Sequence, residues 1–342
     1  MRNQLGIDLG SANLVASAVG EGVVMQEPSV VALVKDSGRV LAVGLSAENK
    51  LKVRDPSVGG TRPFGDGLTA NPDVTQEVLT AALESAGYHK LLGGELLFAV
   101  PCDFTAAQED ILLAMAENVG ARACYFLYSP LAAMMGSYAT LPPSFLSVDI
   151  GATKTNIMLV CRGRIYHMKA LPVGGESFDK AIVEYVWHKR KVRISRRAAE
   201  DIKMKIGTVG AIDTLRSVDV TGRDANDRST TVRISNKDMY EALEGPIGDI
   251  LEAICIAVSK VPDQAVREVF ALGVCLSGGG ACLDGIDKMI GGVAGVPTHV
   301  LKDPMTSTAR GLADTFGILP PDIPQNLHNI SEFVMKRSFA TK

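Results

Sequence analysis

One short pattern occurs twice in this chain. Residues 3–13 read NQLGIDLGSAN, and residues 144–156 read SFLSVDIGATKTN. Each copy starts with an apolar run typical of a strand, continues with Asp-x-Gly and ends in a turn of small residues. A chain that builds this unit twice, far apart in sequence, is expected to fold into two similar halves.

The order of strand and helix signals also favours two α/β halves. QLGIDLG, LVASAV and SVVALV have the composition of strands, whereas DVTQEVLTAALESAG and TAAQEDILLAMAENVGA have the apolar spacing of helices. From Phe145 three further strand patterns follow one another, and a helical pattern follows Gly174 and Gly175. The predicted fold class is α/β, with helices packed on a sheet in each half.

Changes in composition suggest where the units end. Residues 187–246 are more charged than their surroundings and contain few long apolar runs, which favours a small inserted subdomain. Ser235 and Asp238 have the spacing of a capping box at the start of a helix. The predicted units are a first half at 1–140 with a small subdomain at about 35–65, a second half at 141–330 with a small subdomain at about 187–246, and a C-terminal tail at 331–342.

The bulk composition excludes several classes of protein. Of the 342 residues 46% are apolar and 21% are charged, and the net charge of −3 argues against general nucleic-acid binding. The six cysteines form no C-x-x-C pair, so reduced thiols are expected. Apolar stretches stay below the ~18 residues of a membrane span. Because a strand pattern begins almost at once, no signal peptide is expected, and we predict a cytoplasmic protein.

The two turns have the composition of phosphate-binding loops. Small residues leave backbone N–H groups accessible to an anion. Asp8 and Asp149, each at the end of a predicted strand, are candidates to hold Mg²⁺. A single turn of this kind is more often plain structure, but two matched copies favour a nucleotide site. The candidate phosphate residues are Gly10, Ser11, Ala12 and Asn13 in the first turn and Gly151, Ala152, Thr153, Lys154 and Thr155 in the second.

A third glycine cluster, SGGGACL at 277–283, follows a buried strand pattern and precedes a helix predicted after Ala281. Glycine lets a flat base or a phosphate approach the backbone closely. Taken alone, the cluster could equally be a plain strand-to-helix turn. Together with the two turns, it indicates a nucleotide cleft between the halves.

With these elements the chain resembles the superfamily of actin, heat-shock chaperones and sugar kinases, and within it the MreB family of bacterial actin-like filament proteins. The resemblance implies an actin-like fold of two ribonuclease-H-like halves, with ATP and Mg²⁺ bound between them. It runs nearly end to end, through IDLGSAN, VMQEPSVVAL, TRPFGDGL, AVPCDFTAAQ, PVGGESFDKAIVEYV, AEDIKMKIG, SGGGACLDGID and DPMTSTARG.

The resemblance also implies which residues contact ATP. The first turn would hold phosphate beside Asp8, and the second turn would do the same beside Asp149. A helix from the inserted subdomain would approach the ribose and base, the glycine cluster would line the adenosine side, and the segment from Asp303 through Pro304 to Arg310 would follow it. The residues implied on the adenosine side are Glu200, Asp201, Ile202 and Lys203, with Gly278, Gly279, Gly280 and Ala281.

Two departures from the family pattern concern catalysis. Typical members carry Glu-Glu-Pro before the helix between the halves, and an acidic residue there helps to position the attacking water. This chain has Tyr128 and Ser129 before the proline, without a carboxylate, and Lys205 replaces a glutamate of the family. Because phosphoryl transfer depends mainly on positioning and charge, we expect slow or absent hydrolysis, and no catalytic residue is assigned.

A third departure lies in the second turn. Typical members read Asp-Ile-Gly-Gly-Gly-Thr-Thr-Glu, whereas this chain reads DIGATKTN at 149–156. Two glycines and the closing acid are absent, and a lysine has entered. Lys154 either pairs with a β- or γ-phosphate or faces solvent at the mouth of the cleft.

The leading functional prediction is an ATP-binding cytoskeletal protein with at most weak ATPase activity. It would form membrane-associated filaments on the inner face of the cell membrane, determine cell shape and organise cell-wall synthesis. Its expected partners are copies of itself, the inner membrane surface and the cell-wall synthesis machinery, with no nucleic acid. The alternatives are a non-hydrolysing regulatory paralogue or scaffold and, with less support, a small-molecule kinase of the same superfamily.

Two stretches are candidates for the membrane contact. Leu91 and Leu92 lie between a helix stop and a strand, where an apolar pair either inserts shallowly into a membrane or caps the core. KRKVRISRR at 189–197 is strongly basic. Such a run is usually a solvated helix face, and its sharper alternatives are contact with anionic lipid, an acidic partner or a neighbouring subunit.

Overall fold

The computed structural model of this chain describes residues 4–53, 55–64, 71–320, 323 and 328–340. The GDGL part of TRPFGDGL lies outside the described residues. So do residues 1–3, 54 and 65–70 of the predicted first half, 321, 322 and 324–327 of the second half, and 341 and 342 of the tail. The described strands are β1 Gln4–Leu9, β2 Asn13–Ala18, β3 Gly22–Pro28, β4 Val31–Val34, β5 Val40–Val43, β6 Val58–Thr61, β7 Glu95–Val100, β8 Ala123–Tyr128, β9 Phe145–Ile150, β10 Thr155–Cys161, β11 Arg164–Leu171, β12 Ser217–Arg223, β13 Ser229–Ser235, β14 Val274–Ser277 and β15 Thr298–Val300.

Helices occupy most of the sequence between these strands. They are α1 Gly44–Lys52, α2 Pro72–Ser85, α3 Ala106–Asn118, α4 Ser129–Met135, α5 Gly175–Arg190, α6 Arg196–Ile206, α7 Asn236–Ser259, α8 Val266–Leu272, α9 Ile286–Ala294, α10 Ser307–Phe316 and α11 Ser331–Ala340. Within the described part of the chain, no helix combines the length and apolar character needed to cross a bilayer.

Two five-stranded sheets repeat the same topology. The first has the order β3-β2-β1-β7-β8, and the second has the order β11-β10-β9-β14-β15. In each sheet the first three strands are antiparallel, and the central strand pairs in parallel with the next strand outward. The predicted α/β fold class with two similar halves is confirmed. The boundary at residue 140 stays a prediction, and that residue lies between α4 and β9.

The duplicated pattern forms the centre of each sheet. Asp8 lies at the end of β1 and Asp149 at the end of β9, and each strand turns straight back into its antiparallel neighbour. The two aspartates therefore occupy equivalent places, at the edge where each sheet faces the other half.

Two small sheets were less visible in the sequence. Strands β4, β5 and β6 form one of them with α1 against it, and the hairpin β12–β13 forms the other beside α6. The sequence pattern predicted the hairpin and β4, but it did not predict β3, β5, α1 or β6. Strand β5 has no fully buried residue, and β6 contains two glycines, so neither gives a clear apolar alternation. The predicted subdomains at 35–65 and 187–246 stay predictions.

Capping residues explain where several helices start. Thr105 forms a capping box with Gln108 at α3, and Ser235 forms the predicted box with Asp238 at α7. The helix predicted after Ala281 is confirmed as α9, which begins at Ile286. A short 3₁₀ turn, Gly279–Cys282, precedes it.

Helices α4 and α10 pack between the two halves. Their buried side chains, such as Leu131 and Leu312, share one apolar cluster with residues of both sheets. The helix backbones cross at glycines: a Cβ on Gly311 would lie 1.7 Å from the carbonyl oxygen of Ala132, and one on Gly136 would lie 2.1 Å from the oxygen of Ser307. Only glycine permits this separation, so the crossing fixes how the halves stand relative to each other.

The C-terminal segment packs back onto the first sheet. Phe126 of β8 donates its backbone N–H to His328 and accepts one from Ile330. Val334 and Met335 of α11 are buried in the same apolar cluster as α4 and α10. This described part of the tail therefore belongs to the folded body.

Replacing Gly311 by alanine tests the crossing. The added methyl group clashes with helix backbone, which cannot move without displacing α4, so we expect the variant to lose about 2 kcal/mol or more of unfolding free energy. Gly292→Ala in α9 is the matched control, because a Cβ there meets no atom within 4 Å. The midpoint of urea unfolding measures both. Equal midpoints for Gly311→Ala and the control would contradict the proposed role of the crossing.

Candidate functional site

A cleft of about 800 Å³ lies between the two halves. Both turns of the duplicated pattern line it, as do the third glycine cluster and one face of α6. The sequence-predicted residues that line it are Asp8, Gly10, Ser11, Ala12, Asn13, Asp149, Gly151, Ala152, Thr153, Lys154, Glu200, Lys203, Gly278, Gly279 and Gly280.

The two turns touch each other across the floor of the cleft. The Ser11 hydroxyl donates to the carbonyl oxygen of Phe64 at 2.8 Å and lies 2.9 Å from the Thr153 hydroxyl. Since the one proton of Ser11 is used on Phe64, Thr153 donates in this second bond. The hydrogen bond joins the first half directly to the second.

The start of α5 holds the second turn in place. Gly151 donates its N–H to the carbonyl of Lys154, which closes the turn, and its own carbonyl accepts the N–H of Gly175 at 3.0 Å. Glu176 donates to Ala152 at 2.7 Å. A Cβ on Gly174 would lie 2.6 Å from the Gly151 oxygen, so glycine at position 174 is required for this close approach.

The two strand-end aspartates form a like-charge pair with altered acidity. Burial, with a contribution from the charge of Asp149, raises the pKa of Asp8 from 3.8 to about 7. Burial also raises the pKa of Asp149, while the polar side chains of Ser129, Ser277 and Asn156 act in the opposite direction. The Ser277 hydroxyl donates to Asp149 at 3.2 Å. Because two neighbouring carboxylates resist being ionised together, a bound cation would stabilise the ionised pair.

This pair suits a magnesium ion bound with a nucleotide. Mg²⁺ in nucleotide sites takes one or two carboxylates and completes its shell with phosphate oxygens and water. In the described part of the chain, no group of three or more His, Cys, Asp or Glu side chains could hold a metal by itself. Asp8 and Asp149 therefore fit an ion that arrives with phosphate better than a metal held by the protein alone.

The glycine cluster approaches the second turn closely. Gly278 has φ of +81°, and a Cβ there would lie 2.4 Å from the oxygen of Ile150. Its N–H donates to the carbonyl of Pro304 at 2.9 Å, which ties the cluster to the loop before α10. Because no side chains cover this wall, a planar ring can contact the backbone.

One face of α6 forms the opposite wall. Glu200 and Lys203 lie one helical turn apart and both line the cleft. The Lys203 ammonium lies 2.7 Å from Asp179 and donates to the carbonyl of Gly175 at 3.0 Å. Lys203 is therefore held by groups of α5 on the same side of the cleft.

Thr155 of the second turn does not line the cleft, and its hydroxyl donates to the carbonyl of Val173 at 2.8 Å.

Three residues predicted on the adenosine side do not line the cleft either. Ile202 points into the core of the second half and is 3% exposed, and Asp201 faces away from the cleft. The helical period explains both, because residues between Glu200 and Lys203 face other directions. Ala281 is buried within the 3₁₀ turn. Fewer residues on the adenosine side therefore line the cleft than the sequence predicted.

Of the two residues that stand in place of the Glu-Glu pair, Tyr128 and Ser129, only Ser129 lines the cleft. Ser129 is 7% exposed and lines the cavity, and it is one of the groups that lower the pKa of Asp149. Tyr128 does not line the cleft. Its backbone N–H donates to the Ser331 hydroxyl at 3.2 Å. No carboxylate from this position reaches the cleft.

The structure shows a partner for Lys154 that neither interpretation named. The side chain lines the cleft, but its ammonium lies 2.6 and 2.8 Å from the carboxylate oxygens of Asp103. Lys154 is therefore neither a free lysine in solvent nor aimed only at a phosphate. It pairs with the opposite half.

Several lining residues were missed by the sequence reasoning. Arg62 approaches Glu176 and Glu200 at 3.7 Å each, from the opposite half. Glu176 follows the glycine pair directly, and Asp179 is one turn further along α5, which could have identified both. Arg62 had no local signal. Further lining residues that were not predicted are Phe104, Gln108, Met204, Cys282 and Met305.

Comparison with known proteins identifies the family. The MreB/Mbl protein family model matches residues 2–317. The chain belongs to the MreB/Mbl family. The cell shape-determining protein Mbl of Bacillus subtilis (strain 168) is 31% identical over 311 residues, covering 90% of this chain and 93% of Mbl. The cell shape-determining protein MreB of Escherichia coli (strain K12) is 31% identical over 320 residues, covering 90% of this chain and 92% of its own length.

Solved structures agree with this assignment. The crystal structure of MreB5 of Spiroplasma citri bound to ADP matches with a TM-score of 0.84 at 25% identity, covering 91% of this chain and 95% of that one. The MamK double helical filament matches with a TM-score of 0.77 at 20% identity, covering 94% and 100%. The MamK likeness shows the fold alone. The predicted actin-like fold is confirmed for this MreB/Mbl family member.

The raised pKa of Asp8 predicts how stability depends on pH. Folded Asp8 binds a proton more tightly than the unfolded chain does, so its contribution to stability falls as pH rises from about 4 to about 7. Asp8→Asn removes this loss. In metal-free buffer the unfolding free energy of the variant relative to the wild type should rise by at most about 1.4 kcal/mol per pH unit in this window. The difference should level off above pH 7.

Urea unfolding of both proteins at pH 5, 6, 7 and 8 measures this difference. A constant difference in unfolding free energy, or one that shrinks as pH rises, would show that Asp8 is not perturbed in this way.

Proposed function

We propose that this MreB/Mbl family member binds ATP with Mg²⁺ and assembles into filaments at the inner face of the cell membrane. These filaments would determine cell shape and organise cell-wall synthesis. ATP hydrolysis is slow or absent. The observation that carries the proposal is the cleft itself. Two equivalent turns meet in it, each beside its own aspartate, and the glycine cluster forms one of its walls.

The proposed nucleotide site follows the chemistry of the cleft. Backbone N–H groups near Ser11 and Ala152 would receive the phosphates, and Asp8 and Asp149 would hold Mg²⁺, which neutralises phosphate charge. The adenosine would lie between the glycine cluster and α6. Structures of Spiroplasma citri MreB5 bound to ADP and to AMPPNP support nucleotide binding in a chain of this fold.

Slow hydrolysis follows from the side chain at position 129. A serine hydroxyl is shorter than a glutamate and carries no charge, so it does not hold the attacking water as a carboxylate does. Losing such a group typically costs ~10²–10⁴-fold in rate. ATP binding depends on the turns and the glycine wall, which are intact.

Sedimentation tests the filament proposal. Protein incubated with ATP, with ADP or without nucleotide is centrifuged, and phosphate release is followed in the same samples. We expect pelletable filaments with phosphate release that is about 10²-fold or more below that of E. coli MreB measured alongside. A protein that stays in the supernatant under all three conditions would contradict filament assembly. Phosphate release equal to that of E. coli MreB would contradict slow hydrolysis.

A substitution at position 129 tests the cause of slow hydrolysis. Ser129→Glu returns a carboxylate to the cleft, so phosphate release should rise about tenfold or more. Ser129→Ala is the control and should show no increase. Both variants are first checked for ATP binding by equilibrium titration. If the glutamate variant binds ATP but releases phosphate no faster than the alanine variant, another group limits the reaction.

The proposed membrane contact lies at an exposed apolar tip. Leu91 is 100% exposed and Leu92 is 53% exposed, on a 3₁₀ turn, so these leucines do not cap the core. Lys90 is in the same turn, and the Arg122 side chain packs beside Gly93. An apolar tip with a basic rim suits an anionic lipid surface.

The basic stretch at 189–197 is less suited to this role. Its cations are largely engaged within the protein. Lys189 pairs with Glu241, and Arg190 pairs with Asp238. The guanidinium of Arg193 stacks on Trp187 at 5.0 Å. Because these side chains have partners within the protein, and residues 191–195 lie in the loop between α5 and α6, the stretch is not a single solvated helix face.

A double substitution tests the leucine tip. Leu91→Ser/Leu92→Ser should abolish most binding to vesicles that contain anionic lipid, because the apolar area that inserts is lost. Leu215→Ser, at a leucine 70% exposed elsewhere on the surface, is the matched control and should bind as the wild type does. Vesicle co-sedimentation below the filament-forming concentration gives the readout. Undiminished binding by the double variant would exclude this contact.

A second candidate function is a regulatory scaffold that binds nucleotide without turnover. The absence of a carboxylate from positions 128 and 129 in the cleft favours it. Membership of the MreB/Mbl family argues against the small-molecule kinase. The phosphate-release assay separates the scaffold from a slow ATPase, since only the scaffold leaves ATP intact indefinitely.

A further inference from the structure

Three side chains of the second turn reach across the cleft. Each of them bonds to a group of the first half, and each bond joins two groups of the protein itself. The pairs are Thr153 with Ser11 (2.9 Å between hydroxyl oxygens), Lys154 with Asp103 (2.6 Å from Nζ to Oδ2) and Asn156 with Cys102 (2.9 Å from the backbone N to Oδ1).

These are positions where this chain departs from the family pattern. A glycine at 153 has no hydroxyl to donate, and a threonine at 154 is too short and uncharged to pair as the lysine does. Asn156 accepts the N–H of Cys102 and lies opposite Asp149 in the pairing of β9 with β10. A glutamate there would place a second negative charge beside Asp149. The departures therefore have one effect in common, which is contact between the halves.

Contacts at the mouth of the cleft also join the two halves. Arg62 of the first half lies 3.7 Å from Glu176 and from Glu200 of the second. The halves are thus joined at the floor and at the mouth, while α4 and α10 form the connection behind. Opening the cleft requires all of these contacts to break together.

We propose that Thr153, Lys154 and Asn156 form an interdomain latch, which holds the cleft closed whether or not nucleotide is bound. Closure would then not depend on ATP, and filament assembly would need no nucleotide. The consequence for filaments rests on the proposed function, whereas the latch itself does not.

The three contacts differ in strength. Lys154 and Asp103 are 35% and 49% exposed in their side chains, so solvent screens their attraction. Asn156 is 6% exposed, and its hydrogen bonds are better protected. Removing the lysine alone should change the ratio of open to closed protein by about two- to fivefold. Replacing all three residues should change it by about tenfold or more, because the losses multiply.

Spin labels on the two small sheets measure closure directly. Labels are placed at Lys50→Cys in α1 and Asn226→Cys in the turn between β12 and β13, in a Cys255→Ser/Cys282→Ser background. Pulsed electron spin resonance on monomeric, nucleotide-free protein gives the distance distribution. We expect one short distance that AMPPNP leaves unchanged.

The latch variant carries the family residues, Thr153→Gly/Lys154→Thr/Asn156→Glu. It should give a longer and broader distribution without nucleotide. Lys154→Thr alone should shift part of the population, and the charge swap Asp103→Lys/Lys154→Asp should restore the short distance. The matched control is Lys180→Thr, which removes a surface lysine paired with Glu184 outside the cleft.

The single and swap variants keep the test decisive if the triple variant fails to fold. The latch is overturned if the nucleotide-free wild type gives a long, broad distance distribution that matches that of Lys154→Thr. That result leaves the proposed function intact, because ATP binding is titrated separately on the same samples. Conversely, a closed wild type that fails to bind ATP would leave the latch standing and overturn the nucleotide site.

Discussion

The close crossing of α4 and α10 is the constraint on which the cleft depends. Gly136 and Gly311 bring the two helix backbones together, and both helices pack between the sheets. Each half is built around one strand with an aspartate next to its last residue. The relative position of the halves therefore also sets the positions of the two aspartates at the cleft. The meeting of the two turns at Ser11 and Thr153 follows from this arrangement.

Electrostatics then sets what the cleft can bind. Asp8 and Asp149 are half-buried carboxylates with raised pKa, and a cation accompanied by phosphate would relieve their repulsion. Lys154 neutralises a different carboxylate, because its ammonium pairs with Asp103 on the opposite half. The same turn thus serves two purposes: its backbone suits a phosphate, and its side chains join the halves.

Much of the fold could be predicted from the sequence, because both sheets are built on clear apolar strands and the duplicated pattern marks their centres. The small strands β5 and β6 could not, since they are short and carry no apolar alternation. For the site, the glycines and aspartates were found because their chemistry requires those residue types. The direction of Tyr128 and Ser129, the pairing of Lys154 and the reach of Arg62 depend on tertiary contacts that no local pattern encodes.

The central claim is that this cleft binds ATP and barely hydrolyses it. The most direct measurement is a single-turnover experiment, in which excess protein is mixed with radiolabelled ATP and Mg²⁺ and the bound nucleotide is separated and identified over time. We predict that the protein retains the label and that the label remains ATP, whereas Ser129→Glu converts its bound label to ADP about tenfold or more faster. Bound ADP that appears as fast in the wild type as in Ser129→Glu, or no retained label, would contradict this prediction.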